Sequence, residues 1–138
     1  MKQLHFHEDY NNLLRAKALR NFFHSNSADL ELKTIRLGSK KSNSYDPGQE
    51  VWVTLGGDKT KALQTGKLGK VRVVRCVKLS WLSIGYEPSD FSNNLDGGDK
   101  AELEKNLDRY YSFFSNPKNN RSIISKQTMS IITFIKVP

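Results

Sequence analysis

Between residues 33 and 81 cationic and aromatic side chains are interleaved. The cations are Lys33, Arg36, Lys40, Lys41, Lys59, Lys61, Lys67, Lys70, Arg72, Arg75 and Lys78, and the rings are Tyr45, Trp52 and Trp81. That mixture suits single-stranded nucleic acid, because bases stack on rings while phosphates meet lysine and arginine. Two plainer readings stand beside it: a lysine-rich surface that is merely solvated, and rings that merely fill a core. Trp52 sits opposite Val51 and Val53 on a strand pattern, so one of its two faces is the more exposed. Arg36 can grip a phosphate or carboxylate with both arms of its guanidinium, or pair with Glu31 or Glu50 on a strand surface. Thr34 can position a water or an oxyanion, or simply serve as a β-branched strand former. Lys33 becomes a base or nucleophile only where burial or neighbouring cations such as Lys40 and Lys41 lower its pKa. Otherwise it is an exposed cation.

Other chemistries find little support. His5 and His7 share one face of a short strand, but with His24 they make no recognisable ligand spacing, so no metal is expected. Cys76 lies in a β-prone run and reads as a small buried hydrophobe. Gly56-Gly57-Asp58-Lys59-Thr60 lacks the full phosphate-loop pattern, and no helix is expected after it. No cofactor is expected.

The bulk properties frame these residues. The chain has 138 residues, 37% hydrophobic and 26% charged, which fits a single folded domain spanning 1–138. No apolar run is long enough to cross a membrane. With one cysteine and no secretory leader at the N-terminus, a cytoplasmic setting is expected. The net charge is +8, and residues 31–80 carry most of it, with eleven basic and four acidic side chains. That concentration points to phosphate.

The elements that must position these residues follow from periodicity. Leu4–His7 is a short strand, and residues 8–24 are a helix with Leu13, Leu14, Ala18, Phe22 and Phe23 at helical spacing. A strand follows over Leu30–Leu37, then a polar basic loop. Asp46-Pro47-Gly48 is a turn, because proline presets one φ and glycine accepts the left-handed one after it. Gln49–Leu55 is a strand, and residues 58–69 are a loop or hairpin tip. Lys70–Leu79 is a strand with broken alternation, which predicts a bulge or burial on both faces, and it can extend past Trp81 to Ile84. After a loop over 85–98, Asp99 with Glu102 opens a helix carrying Leu103, Leu107, Tyr110, Tyr111 and Phe114 towards the core, stopped by Asn116-Pro117. Ser125–Val137 is a last strand with apolar residues on both faces. The order β-α-β-β-β-α-β predicts an α+β fold: a small barrel or strongly curved mixed sheet flanked by two helices.

Three runs together resemble the ASCH family of PUA-like β-barrels: Lys33-Thr34-Ile35-Arg36, then Asp46-Pro47-Gly48-Gln49-Glu50-Val51-Trp52-Val53, then Lys59-Thr60-Lys61 before the strand Val71–Leu79. The resemblance covers about residues 30–84. Two positions depart from it. Asp29-Leu30-Glu31-Leu32 stands where the family often has glycine-lysine, and Gln49 stands where it usually has aspartate. The resemblance implies a PUA-like barrel that recognises RNA or a modified nucleotide. Some members resemble an amidohydrolase acting on an acylated cytidine, and others are linked to ribonuclease activity. On the hydrolytic reading Lys33, Thr34 and an acid from the loop before the second helix, Glu87 or Asp90, would form the site.

Three expectations result. The first is RNA or single-stranded nucleic-acid binding through Arg36, Lys40, Lys41, Trp52, Lys59, Lys61, Lys67, Lys70 and Arg72. The second is a small hydrolase of a modified nucleoside or of RNA, using Lys33, Thr34 and Glu87. The third is a non-enzymatic module whose charge engages an acidic protein partner. None of them needs a membrane.

Overall fold

The computed structural model describes residues 2–7, 13–26, 29–38 and 41–138. In order, the elements are β1 (Gln3–His7), α1 (Leu13–His24), β2 (Glu31–Leu37), β3 (Glu50–Gly56), α2 (Lys59–Thr65), β4 (Lys67–Ser80), α3 (Lys100–Tyr111), α4 (Arg121–Lys126) and β5 (Thr128–Lys136). The strands form one strongly curled mixed sheet in the order β1-β3-β4-β5-β2. β1 runs parallel to β3, and β3 antiparallel to β4. The fold is α+β, as its element order predicts. Lys40 and residues 8–12 of the expected first helix lie outside the described residues.

Packing divides the chain into two compact units. One holds Met1–Glu31, Pro47–Val74 and Phe134–Pro138; the other holds Leu32–Asp46 and Arg75–Thr133. In the first unit the apolar faces of three strands make a layer. Leu4 and Phe6 lie in register beside Val53 and Leu55, and Val51 faces Val71. All of these are buried, and so are Ala16, Leu19 and Phe22 of α1 and Phe134 of β5. The Phe22 and Phe134 rings meet edge to face, with centroids 5.9 Å apart. α1 presents Phe22 to the core as its spacing predicts, but Ala16 and Leu19 complete that face in place of Leu14 and Ala18, and Leu14 is 84% exposed. The turn into β3 depends on Gly48 at φ +87, the left-handed conformation that the Pro-Gly turn requires.

In the second unit Ile35, Met129 and Ile131 pack with Leu103, Leu107, Trp81, Ile84, Phe113 and Ile124. α3 starts as its sequence predicts: the Asp99 side chain accepts from Glu102 N at 2.8 Å. It ends earlier than predicted, because Ser112 turns left-handed at φ 52 and its N–H returns to Asp108 O. That early stop leaves Tyr111 44% exposed and buries Phe113 in the place expected for the tyrosines.

Three further expectations are corrected. Residues 59–65 are helix, not loop, because the Asp58 carboxylate accepts from Thr60 N and Lys61 N and starts a turn. Trp81–Ser83 is a 3-10 turn rather than an extension of β4. Residues 121–126 are helix, started by Asn120 accepting from Ile123 N, so β5 begins only at Thr128. β4 does carry a bulge, but ahead of the expected strand Lys70–Leu79 and away from Val74 and Val77: the register with β3 shifts between Val53 and Thr54, leaving Leu68 as the extra residue. β5 is buried on both faces from Met129 to Phe134.

Candidate nucleic-acid interface

In the first unit the sheet has a second face, opposite the Val51–Val53 layer. β3 places Glu50, Trp52 and Thr54 there by the two-residue period of a strand. On one side β1 adds Gln3 and His5, in register with Trp52 and Thr54. Both are buried: His5 Nδ1 lies 2.9 Å from Thr54 Oγ1, and Gln3 Nε2 donates to Lys59 O at 3.0 Å. That last bond seats the first turn of α2 beside Trp52. On the other side β4 adds Arg72 opposite Glu50 and Lys70 opposite Trp52.

The bulge supplies one more cation. Without the register shift Leu68 would face Thr54; with it Lys67 does, on the same face as Trp52. Lys67 Nζ stands 4.5 Å and Lys70 Nζ 5.4 Å from the centroid of the Trp52 ring. The bulged strand can pass close to α1 because residue 69 is glycine; a Cβ there would sit 2.5 Å from the Phe23 ring. Trp52 itself is half-buried, whereas Val51 and Val53 are fully buried.

Acid on this face is already engaged. Glu50 pairs with Arg72 at 3.6 Å, both partly exposed, so the pair is worth little. The Asp58 carboxylate caps α2. Exposed Lys59 and Lys61 lie on α2 itself. Of the nine expected binding residues, the first unit holds Trp52, Lys59, Lys61, Lys67, Lys70 and Arg72, and its sheet brings Lys67, Lys70 and Arg72 onto the face of Trp52. Arg36 and Lys41 belong to the second unit.

A cation over a ring is not by itself a binding site. Lys100 Nζ lies 4.8 Å from the Trp81 ring, yet Trp81 is buried and Lys100 donates to its carbonyl at 2.7 Å. There the pair is internal packing, and burial lowers the pKa of Lys100 while Glu104 raises it. Trp52 differs in being only partly buried and flanked by two cations. Tyr45, the third ring of the sequence pattern, is buried; burial raises its phenol pKa, Arg36 lowers it and Cys76 raises it.

The residues expected for hydrolysis lie in the second unit and serve its edge strand. Lys33 N donates to Asn93 O at 3.0 Å, and Leu95 N donates to Lys33 O at 2.8 Å. Lys33 Nζ donates to the carbonyl of Ser89. Thr34 is buried, and its hydroxyl donates to Asp96 Oδ2 at 2.6 Å. The same oxygen accepts from Ile35 N at 2.9 Å. Further along, Asn43 Nδ2 donates to Leu37 O at 2.8 Å. Segment 93–96 thus closes the outer edge of β2, and Asp96 supplies the acceptor that a neighbouring strand would otherwise give. Glu87 is exposed at the start of the turn Pro88–Phe91, while the Asp90 carboxylate accepts from Gly85 N at 3.1 Å. The buried acid beside Thr34 is Asp96, 62 residues away in sequence, which no local pattern singles out.

A second tie holds the loop after β2. Lys78 Nζ donates to Ser130 Oγ at 2.7 Å and to Asn43 O at 3.0 Å, and Ser130 Oγ donates to Gly38 O at 2.9 Å. Ser130 is fully buried, so its hydroxyl is a strut. Among the described residues no group of three His, Cys, Asp or Glu side chains could hold a metal ion, and no helix is long and apolar enough to cross a membrane. Comparison with protein-family models, curated proteins and solved structures finds no significant match.

Proposed function

We propose that the chain binds nucleic acid, RNA first among the candidates, through the Trp52 face. The observation that carries this reading is the half-buried indole of Trp52 with the ammonium groups of Lys67 and Lys70 over its ring. An exposed cation–ring contact is worth only about 0.5–1 kcal/mol in stability. A partly exposed ring with two cations over it is better matched to a flat, anionic ligand. Arg72, opposite Glu50 and paired with it, adds a third cation to the same face of β4, and the resemblance of residues 30–84 to the RNA-associated ASCH family points the same way.

Binding of this kind releases counterions, with a slope of log affinity against log salt of about −0.7 per phosphate contact on a single strand. Three to five contacts on this face give a slope of roughly −2 to −3.5. Titration of the protein with short RNA, read by tryptophan fluorescence at several salt concentrations, measures it. The expected result is saturable quenching that fades with salt and is lost in the double charge reversal Lys67→Glu/Lys70→Glu. Absence of any fluorescence or anisotropy change at low salt, with RNA and with DNA, would refute the reading and turn attention to an acidic protein partner.

A further inference from the structure

We infer that the Trp52 face takes an unpaired strand, stacking one base on the indole and spanning about three nucleotides; this rests on the nucleic-acid reading above. The geometry has three parts. The first is a lone indole. The other rings among the described residues of this face are two imidazoles of β1, the buried His5 and the exposed His7 opposite Gly56, so Trp52 is the one large ring with cations over it and the face carries no ladder of such rings.

The second part is the row of cations on β4. Lys67, Lys70 and Arg72 occupy one strand, with Lys70 directly opposite Trp52 and the other two on either side. At about 3.3 Å per residue, less the bulge, the row is roughly 13–17 Å long. A stretched single strand spaces its phosphates at about twice the 3.4 Å of a stacked one, so the row matches about three phosphates. The third part is the state of the ring. Among the described residues no carboxylate pairs with the two lysines that cover it. A base arriving on the indole displaces the ammonium groups outward, towards the phosphates on either side of that base. In a duplex the base faces are already stacked and the ring has nothing to receive, so only the cations remain useful.

The bulge at Leu68 is then a binding feature. It turns Lys67 onto the ring face, and Gly69 makes room for the displaced strand against Phe23.

Fluorescence anisotropy with labelled oligonucleotides, from dinucleotide to octanucleotide, and with a hairpin duplex tests this. Affinity should climb up to the trinucleotide or tetranucleotide and then rise only by the number of available positions. The single strand should bind on the order of tenfold more tightly than the duplex, and Trp52→Leu, which keeps apolar bulk but removes the π face, should lose about that factor for the single strand alone. Trp52→Phe should retain most of the affinity, which separates stacking from misfolding. Equal affinity for duplex and single strand, unmoved by Trp52→Leu, would overturn the inference while leaving nucleic-acid binding in place. No binding to either would remove both.

Discussion

Thr34 and Asp96 show how a residue that reads as chemistry can be spent on structure. The Thr34 hydroxyl and the Ile35 N–H converge on one carboxylate oxygen in a buried site. A buried carboxylate is costly unless donors satisfy it, and here two are supplied by adjacent residues of the edge strand. Thr34→Val should therefore destabilise the protein by roughly 1–3 kcal/mol, the usual cost of leaving a buried partner short of a hydrogen bond. Thr34→Ser keeps the hydroxyl and should recover most of that loss. Neither variant should change RNA affinity, because the Trp52 face belongs to the other unit. Urea unfolding midpoints and an RNA titration of both variants decide the matter. If Val and Ser are equally harmful, the bond to Asp96 is not what fixes Thr34. If RNA affinity falls with the hydroxyl, the edge strand takes part in binding after all.

Asp108 anchors the end of an element. Its Oδ1 accepts from Phe114 N at 2.8 Å and from Ser115 N at 2.7 Å, which folds the chain back after α3 and helps set Phe113 in the core. The Ser115 N–H is the chief reason its carboxyl lies below the ordinary range; slight desolvation opposes this, and the Phe114 N–H and the Ser115 hydroxyl add to it. A depressed carboxyl pKa means that the unfolded chain binds the proton first. The stabilisation is therefore complete above the ordinary carboxylate pKa and is lost as pH falls from there through the lowered value in the folded state. Asp108→Asn should remove that part of the acid dependence, so the stabilities of variant and parent converge at low pH. Denaturant midpoints measured from neutral to acid pH would show it, and two parallel curves would sink it. The same element shows what a sequence makes legible. Asp99 and Glu102 mark the start of α3 because a capping oxygen and a glutamate three residues on are a local signal. Its end depends on Ser112 adopting a left-handed conformation, uncommon for a residue other than glycine, so periodicity places Tyr111 inside and Phe113 is found there. α2 and α4 are seven and six residues long, too short for periodicity to declare them. The strands were legible because their alternation is long-lived; the β4 bulge was not, because Leu68 lies in a basic, glycine-containing stretch that reads as loop. Trp52, Lys67 and Lys70 were legible as types, but their meeting over one ring depends on register, which no residue near Trp52 encodes. Asp96 left no signal at all, since a lone acid in a glycine-rich loop looks like any other.

At the scale of the molecule the two units share one interrupted chain. The first unit is assembled from three separate stretches, and its last stretch is only Phe134–Pro138. Those few residues do several things within it. Phe134 is fully buried against Phe22, Lys136 Nζ donates to the carbonyl of Ser25, and Val137 N donates to Lys70 O at 3.2 Å. The last of these fixes the backbone of a residue that covers Trp52. Removing a buried phenylalanine from a core costs about 3–5 kcal/mol, a large part of the 5–15 kcal/mol that keeps a small protein folded. A chain ending at Thr133 should therefore lose slow amide exchange in β3 and in Lys67–Val74, together with its RNA-dependent fluorescence change. Phe134→Leu in the full chain fills most of the volume and keeps the backbone bond from Val137 to Lys70, so it should lose stability but retain binding below its unfolding midpoint. Hydrogen exchange followed by mass spectrometry, with an RNA titration of each variant, separates the two effects. Persistent protection of β3 in the shortened chain would mean that the stretches before residue 75 hold the Trp52 face by themselves.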